Sequence, residues 1–159
     1  MNTTYLLLGS NMGNSQTQLS KAILQIEKQI GCITRQSSLY TTAAWGNTNQ
    51  PDFLNQVIIV ETGLTAIQTM QTILSIEKKM GRLRTVKNAP RIIDIDILFF
   101  NKEIIQQEQL TIPHPELQNR RFVLVPLNQL SPNFRHPVLK KTIHHLFIHC
   151  PDKLNVKKF

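Results

Sequence analysis

Two aspartates, Asp94 and Asp96, stand two residues apart inside the run Ala89-Pro90-Arg91-Ile92-Ile93-Asp94-Ile95-Asp96-Ile97-Leu98-Phe99-Phe100, in which every other residue from Ile92 onward is apolar. A run so rich in β-branched residues predicts a central strand. Residues i and i+2 of a strand share one face at roughly 6.6 Å along the chain. Both carboxylates therefore point one way, and Ile93, Ile95 and Ile97 point the other. One face is expected to be core and the opposite face to carry charge. Neighbouring carboxylates raise each other's pKa unless a cation sits beside them. Oxygen ligands at this spacing suit Mg²⁺, whose remaining positions are filled by water and substrate phosphates. A nucleotide is the natural source of those phosphates. The alternative, an edge strand with two solvated aspartates, fits poorly with such apolar flanks and with the rarity of Asp in strands.

A chain of 159 residues is long enough for one domain with a substantial core. Cys32 and Cys150 are far apart and lack metal-ligand spacing, so thiols in a reducing, cytoplasmic compartment are expected. Tyr5 to Leu8 is too short for a signal segment, and no apolar stretch reaches membrane-spanning length. A net charge of +8 implies attraction for anions and leaves nucleic acid, nucleotides and acidic surfaces open. Lys78, Lys79, Arg82, Arg84, Lys87 and Arg91 cluster just before the aspartates, where they would surround a metal-bound polyphosphate. Lys140, Lys141, Lys153, Lys157 and Lys158 read as a solvated tail.

Thr3 to Leu8 predicts a first strand, closed by Gly9-Ser10-Asn11-Met12-Gly13-Asn14. That turn lacks the Lys-Ser/Thr of a P-loop and the three-glycine dinucleotide fingerprint, so it is read as structural. Ser15 is a candidate N-cap for a helix with Leu19, Ala22, Ile23, Ile26 and Ile30 on one face, and Gly31 sits where a C′ glycine closes it. Ile33 to Tyr40 predicts a second strand, Thr41 to Asp52 a long polar loop, and Phe53 to Glu61 a third strand. There Phe53 and Asn55 share a face, although Phe53 by itself reads as core. Thr65 caps a second helix through Met80, with Ile67, Met70, Ile73, Leu74 and Ile76 or Glu77 inward and Gly81 as its stop. After the aspartate strand, Pro115 suits a short helix carrying Asn119, Arg120 and Arg121. Phe122 to Leu127 reads as extended, and Thr142 to Phe147 as a final short helix. The order predicts an α+β fold: a ferredoxin-like βαββαβ core with an antiparallel sheet, helices packed on it, and a C-terminal extension.

The run Lys87 to Leu98 resembles the signature of the 6-hydroxymethyl-7,8-dihydropterin pyrophosphokinases. The likeness extends to Gly9-Ser10-Asn11 with Gly13, Ser38-Leu39-Tyr40 leading to Trp45-Gly46, Gln50 to Asn55, Glu77 with Gly81-Arg82, and Pro113-His114 with Asn119-Arg120 and Phe122. It covers essentially the whole chain and implies a single pyrophosphokinase domain over residues 1–159. The implied activity moves pyrophosphate from ATP to a reduced pterin alcohol in folate biosynthesis. The resemblance further implies two Mg²⁺ ions on Asp94 and Asp96 and catalytic roles for Arg82, Arg91, Asp94 and Asp96. ATP would be held by Glu77, Arg82, Arg84, Arg91, Ile97, His114 and Arg120. The pterin would be held by Thr42, Ala43, Trp45, Phe53, Asn55 and Phe122. ATP and the reduced pterin are the expected partners of a monomer, with no membrane and no nucleic acid. Basic ferredoxin-like domains also bind RNA through exposed sheet aromatics, but carboxylates on the sheet face would repel phosphodiester.

Overall fold

The computed structural model describes residues 1–43, 49–82 and 90–159. The chain begins with β1 (Asn2–Ser10), α1 (Ser15–Gln29), β2 (Gly31–Gln36) and β3 (Tyr40–Thr42). It continues through β4 (Phe53–Thr62), α2 (Ala66–Lys79) and β5 (Asp94–Phe100). The main sheet has the order β5-β1-β4-β3, with β2 also on β4, and every pairing in it is antiparallel. The result is the α+β fold expected, with helices packed on both sides of the main sheet.

On one side α1 and α2 bury Leu19, Ala22, Ile26, Ile73 and Ile76 against Leu6, Leu8, Ile58, Ile95 and Ile97. α2 starts at a capping box in which the Thr65 hydroxyl and the Gln68 side chain each satisfy the other's backbone amide. α1 is capped by Asn14, one residue ahead of the expected Ser15. Leu74 is not an inner residue; it is 44 % exposed. Gly31 follows the helix cap Ile30, but its need for glycine is steric: a Cβ there would collide with the Glu61 carbonyl of β4.

The second face departs further from expectation. Phe122 to Leu127 is not extended; it lies in α3 (Arg121–Leu130), and with α4 (Ile143–Ile148) that helix covers half of the face expected to carry only charge. Val123, Leu124, Leu127 and Leu130 pack there on Tyr5, Leu7, Val57, Leu98 and Phe99. The C-terminal lysines are not a loose tail either. Val156–Lys158 forms β8, which pairs with β3, and Phe159 N–H donates to the Leu39 carbonyl at 2.9 Å. An edge strand with unpaired backbone groups invites such a partner.

The aspartate strand is an edge strand, not a central one, since among the described residues β5 pairs only with β1. Its outer edge is nevertheless satisfied: Ile95 N–H donates to Glu77 Oε2 at 2.8 Å, and His114 N–H donates to the Leu98 carbonyl at 3.0 Å. Covered in this way, an edge strand carries the apolar sequence of a buried one. A two-stranded hairpin, β6 (Ile105–Gln106) with β7 (Thr111–Ile112), leads to His114.

In the turn between α3 and α4, His136 is buried under Phe99. Its Nδ1 accepts from the Val138 and Leu139 amides at 3.1 and 3.0 Å. Burial pushes its pKa from the usual 6.5 down to about 4. Between those values the unfolded chain binds a proton that the native state refuses, so stability falls as pH drops through 6.5 towards 4. The expected loss at pH 5 is roughly 2 kcal/mol relative to neutral pH. His136→Asn, whose amide oxygen can take the two amides without titrating, should flatten that part of the pH profile in chemical denaturation. Identical profiles for the two proteins would refute the assignment.

Candidate active site

Register places the site. Gly9 of β1 lies between Asp94 of β5 and Asn55 of β4, so one strip of sheet surface presents a carboxylate, a gap and an amide. The gap is required: a Cβ on Gly9 would stand 3.0 Å from Asn55 Oδ1 and 3.5 Å from the Phe53 ring. Above this strip is a cavity of about 300 Å³. Asp94, Asp96, Arg82, Arg91, His114 and Arg120 line one end, and Thr42, Ala43, Phe53, Asn55 and Phe122 line the other. Most residues predicted for the site therefore meet in one place. Arg84 and Trp45 lie outside the described residues. Ile97 lines a neighbouring cavity of about 370 Å³ with Met70, Leu74 and Leu110, and the two cavities share Asp96 and His114.

The charged end is a network. Arg82 Nη1 donates to Asp94 Oδ1 and to Glu77 Oε2, both at 2.7 Å, and Arg91 Nη1 donates to Asp94 Oδ2 at 2.9 Å. Glu77 does not line the cavity. It is 1 % exposed and joins α2 to β5 from behind, through Arg82 and the Ile95 amide. Burial opposes the charge on Arg82, but Asp94 and Glu77 together raise its pKa above the ordinary value. Asp96 is pushed up to about 7, first by burial and then by Asp94 and Glu77, against the pull of Arg120 and Arg82.

The cost of ionising Asp96 beside Asp94 and Glu77 is what a hard cation would relieve. The donors fit one: two carboxylates, with the other positions left to water and to phosphate oxygens. Among the described residues no group of three or more His, Cys, Asp or Glu forms an all-protein metal cage. Burial, then Arg120, lowers the pKa of His114. His114 Nδ1 accepts from Glu116 N–H at 3.1 Å, so the neutral ring carries its proton on Nε2 and can donate it to an anion.

At the other end, Asn55 Nδ2 donates to Thr42 Oγ1 at 3.0 Å. The aromatic rings also meet the cations: the Arg91 guanidinium is 5.9 Å from the Phe53 centroid, and that of Arg120 is 5.9 Å from Phe122.

Sequence reasoning treated the turn after β1 as structural and so gave Asn11 no role. Asn11 Nδ2 donates to Gln50 Oε1 at 2.8 Å and to the Pro51 carbonyl at 3.1 Å. Its Oδ1 accepts from Arg91 N–H at 2.9 Å, and its own N–H donates to the Arg91 carbonyl at 3.2 Å. One buried amide thus ties the segments on both sides of the cavity to the end of β1. A polar side chain ending an apolar strand is the only local hint of it.

The sequence profile of the 7,8-dihydro-6-hydroxymethylpterin-pyrophosphokinase (HPPK) family matches residues 5–132. The chain is 40 % identical over 143 residues to the 2-amino-4-hydroxy-6-hydroxymethyldihydropteridine pyrophosphokinase of Aquifex aeolicus, covering 90 % of this chain and 89 % of that one. With the Haemophilus influenzae protein of the same name, identity is 35 % over 159 residues, covering 98 % and 99 %. Among solved structures, Plasmodium falciparum HPPK-DHPS superposes with a TM-score of 0.77 at 21 % identity, a likeness of fold. That match covers 93 % of this chain but only 43 % of the Plasmodium chain.

Proposed function

This chain belongs to the 7,8-dihydro-6-hydroxymethylpterin-pyrophosphokinase family, and from that premise we propose how its paired cavities serve the reaction. The protein transfers pyrophosphate from ATP to 6-hydroxymethyl-7,8-dihydropterin, a step of folate synthesis that yields AMP. The observation that carries the residue assignment is the gathering of Asp94, Asp96, three arginines and His114 at one end of a cavity whose other end is aromatic and amide-lined.

The pterin ring lies between Phe53 and Phe122. Asn55, with its NH₂ committed to Thr42, turns its carbonyl oxygen to the ring's N–H groups. The adenine end of ATP occupies the neighbouring cavity at Ile97. The triphosphate then passes His114 and Arg120, which border both the nucleotide and the carboxylates. Asp94 and Asp96 would hold two Mg²⁺ ions, which would supply charge neutralisation for the triphosphate and Lewis-acid polarisation of its phosphorus. The pterin hydroxymethyl oxygen attacks the β-phosphorus and AMP departs. Such transfer asks for positioning and charge neutralisation rather than a strong protein base. Arg82 and Arg91 turn from Asp94 to the phosphates as charge moves outward, and Arg84 and Trp45 keep the ATP and pterin roles that the family resemblance implies. Residues 1–159 act as one domain, a cytoplasmic monomer. No helix among the described residues is long and apolar enough to cross a membrane.

Incubation with ATP, Mg²⁺ and the reduced pterin alcohol should release AMP and pterin diphosphate in equal amounts. Formation of ADP, or AMP release that ignores the pterin, would overturn the reading.

A further inference from the structure

The C-terminal segment reaches both walls of the pterin-facing cavity, and its anchor is Asp152. This buried carboxylate accepts the Arg121 amide on Oδ2 at 2.9 Å and the Leu154 amide on Oδ1 at 2.9 Å. The first bond caps α3, whose N-cap residue Arg120 makes no side-chain cap of its own. The second turns the chain towards β8, which pairs Val156 with Thr42. Arg120 and Phe122 line one wall of the cavity, and Thr42, bonded to Asn55, lines the facing wall. A cap supplied from a distant stretch of chain is unusual, because most helices are capped by the residue that precedes them. Here the usual position is taken by Arg120, whose side chain faces the site.

We propose that Asp152 is a positioning residue for the pyrophosphokinase reaction: it fixes the first turn of α3, and through the strand that follows it fixes β3, so that Phe122 and, through Thr42, Asn55 keep their places around the pterin ring. The inference rests on the functional reading above. It adds that the chain's last eight residues set the affinity for the pterin without touching it.

The test compares Asp152→Ala with Thr142→Ala. Thr142 caps α4 through the His145 amide at 3.1 Å, on the same face of the sheet but away from the cavity, so its loss costs a similar cap without reaching the site. Loss of the Asp152 cap should raise KM for the reduced pterin about five- to tenfold, the equivalent of a typical N-cap, with kcat changed less. Thr142→Ala should leave the pterin KM where it is. Asp152→Asn keeps the shape and one acceptor, and should fall between wild type and the alanine variant. It also serves if the alanine variant does not fold.

An unchanged pterin KM in both Asp152 variants, or an equal rise in Thr142→Ala, would overturn the inference. Should wild type itself form no AMP with the pterin, the functional reading fails instead. Positioning is then read from amide hydrogen exchange: Asp152→Asn should speed exchange at residues 121–124 and 40–42 but not in α1. Unchanged exchange at those residues would sink the inference on its own.

Discussion

Asp96→Asn should make the ligand-free protein more stable while removing nearly all of its activity. The native Asp96 carboxyl is raised from 3.8 to about 7, by burial first and then by Asp94 and Glu77. Between those values the native state keeps a proton that the unfolded chain gives up, so stability grows as pH falls through 7 towards 4. Above pH 7 the ionised group costs stability, and removing its charge should return that loss. Turnover should fall by about a thousandfold or more, because the amide cannot replace a carboxylate in the proposed role of holding Mg²⁺ on the phosphates. Denaturation at pH 8 with a chelator present, paired with AMP release at saturating substrates, measures both effects. Adding Mg²⁺ with ATP should then stabilise wild type more than the variant, since only a state that binds ligand gains from it. Near-normal turnover in the variant, or a variant less stable than wild type under chelation, would refute the assignment of Asp96.

The same carboxylates explain why so much of the site was legible in the sequence. Asp94 and Asp96 stand out because a period-two pattern forces them onto one face of an apolar strand, and that inference uses nothing beyond neighbouring residues. Thr65 as a cap, and Leu19 with Ala22 and Ile26, are local signals in the same sense, and the structure places them as expected. What escaped was carried by distance. β5 was taken for a central strand because its outer edge is satisfied by Glu77 and His114, which come from other parts of the chain. The Phe122 to Leu127 run is too short for its period to decide between strand and helix, and Pro126 argues locally against a helix. Only when the run is extended to Leu130 does the spacing of Val123, Leu124, Leu127 and Leu130 show one helical face. Asn11 and Asp152 have no periodicity at all, since each satisfies backbone groups that folding alone brings near.

Arg82→Ala should lower both stability and turnover, and a second change should restore only the first. The Arg82 guanidinium bridges Glu77 and Asp94 at 2.7 Å each, with its own side chain 9 % and that of Glu77 2 % exposed. Its removal leaves a cluster of carboxylates short of a cation in a poorly solvated place, a loss of about 3 kcal/mol. Turnover should fall by about a hundredfold, as one donor to the developing phosphate charge disappears. In the Arg82→Ala background, Glu77→Gln can still accept the Ile95 amide while removing one of the uncompensated charges. The double variant should therefore recover about half of the lost stability and none of the turnover. Arg82→Lys keeps a positive charge but not the planar fork, and should fall between wild type and alanine in both measurements. If the double variant regained activity together with stability, Arg82 would be a brace for β5 and not a phosphate ligand. The carboxylate network would then order the site without taking part in the transfer.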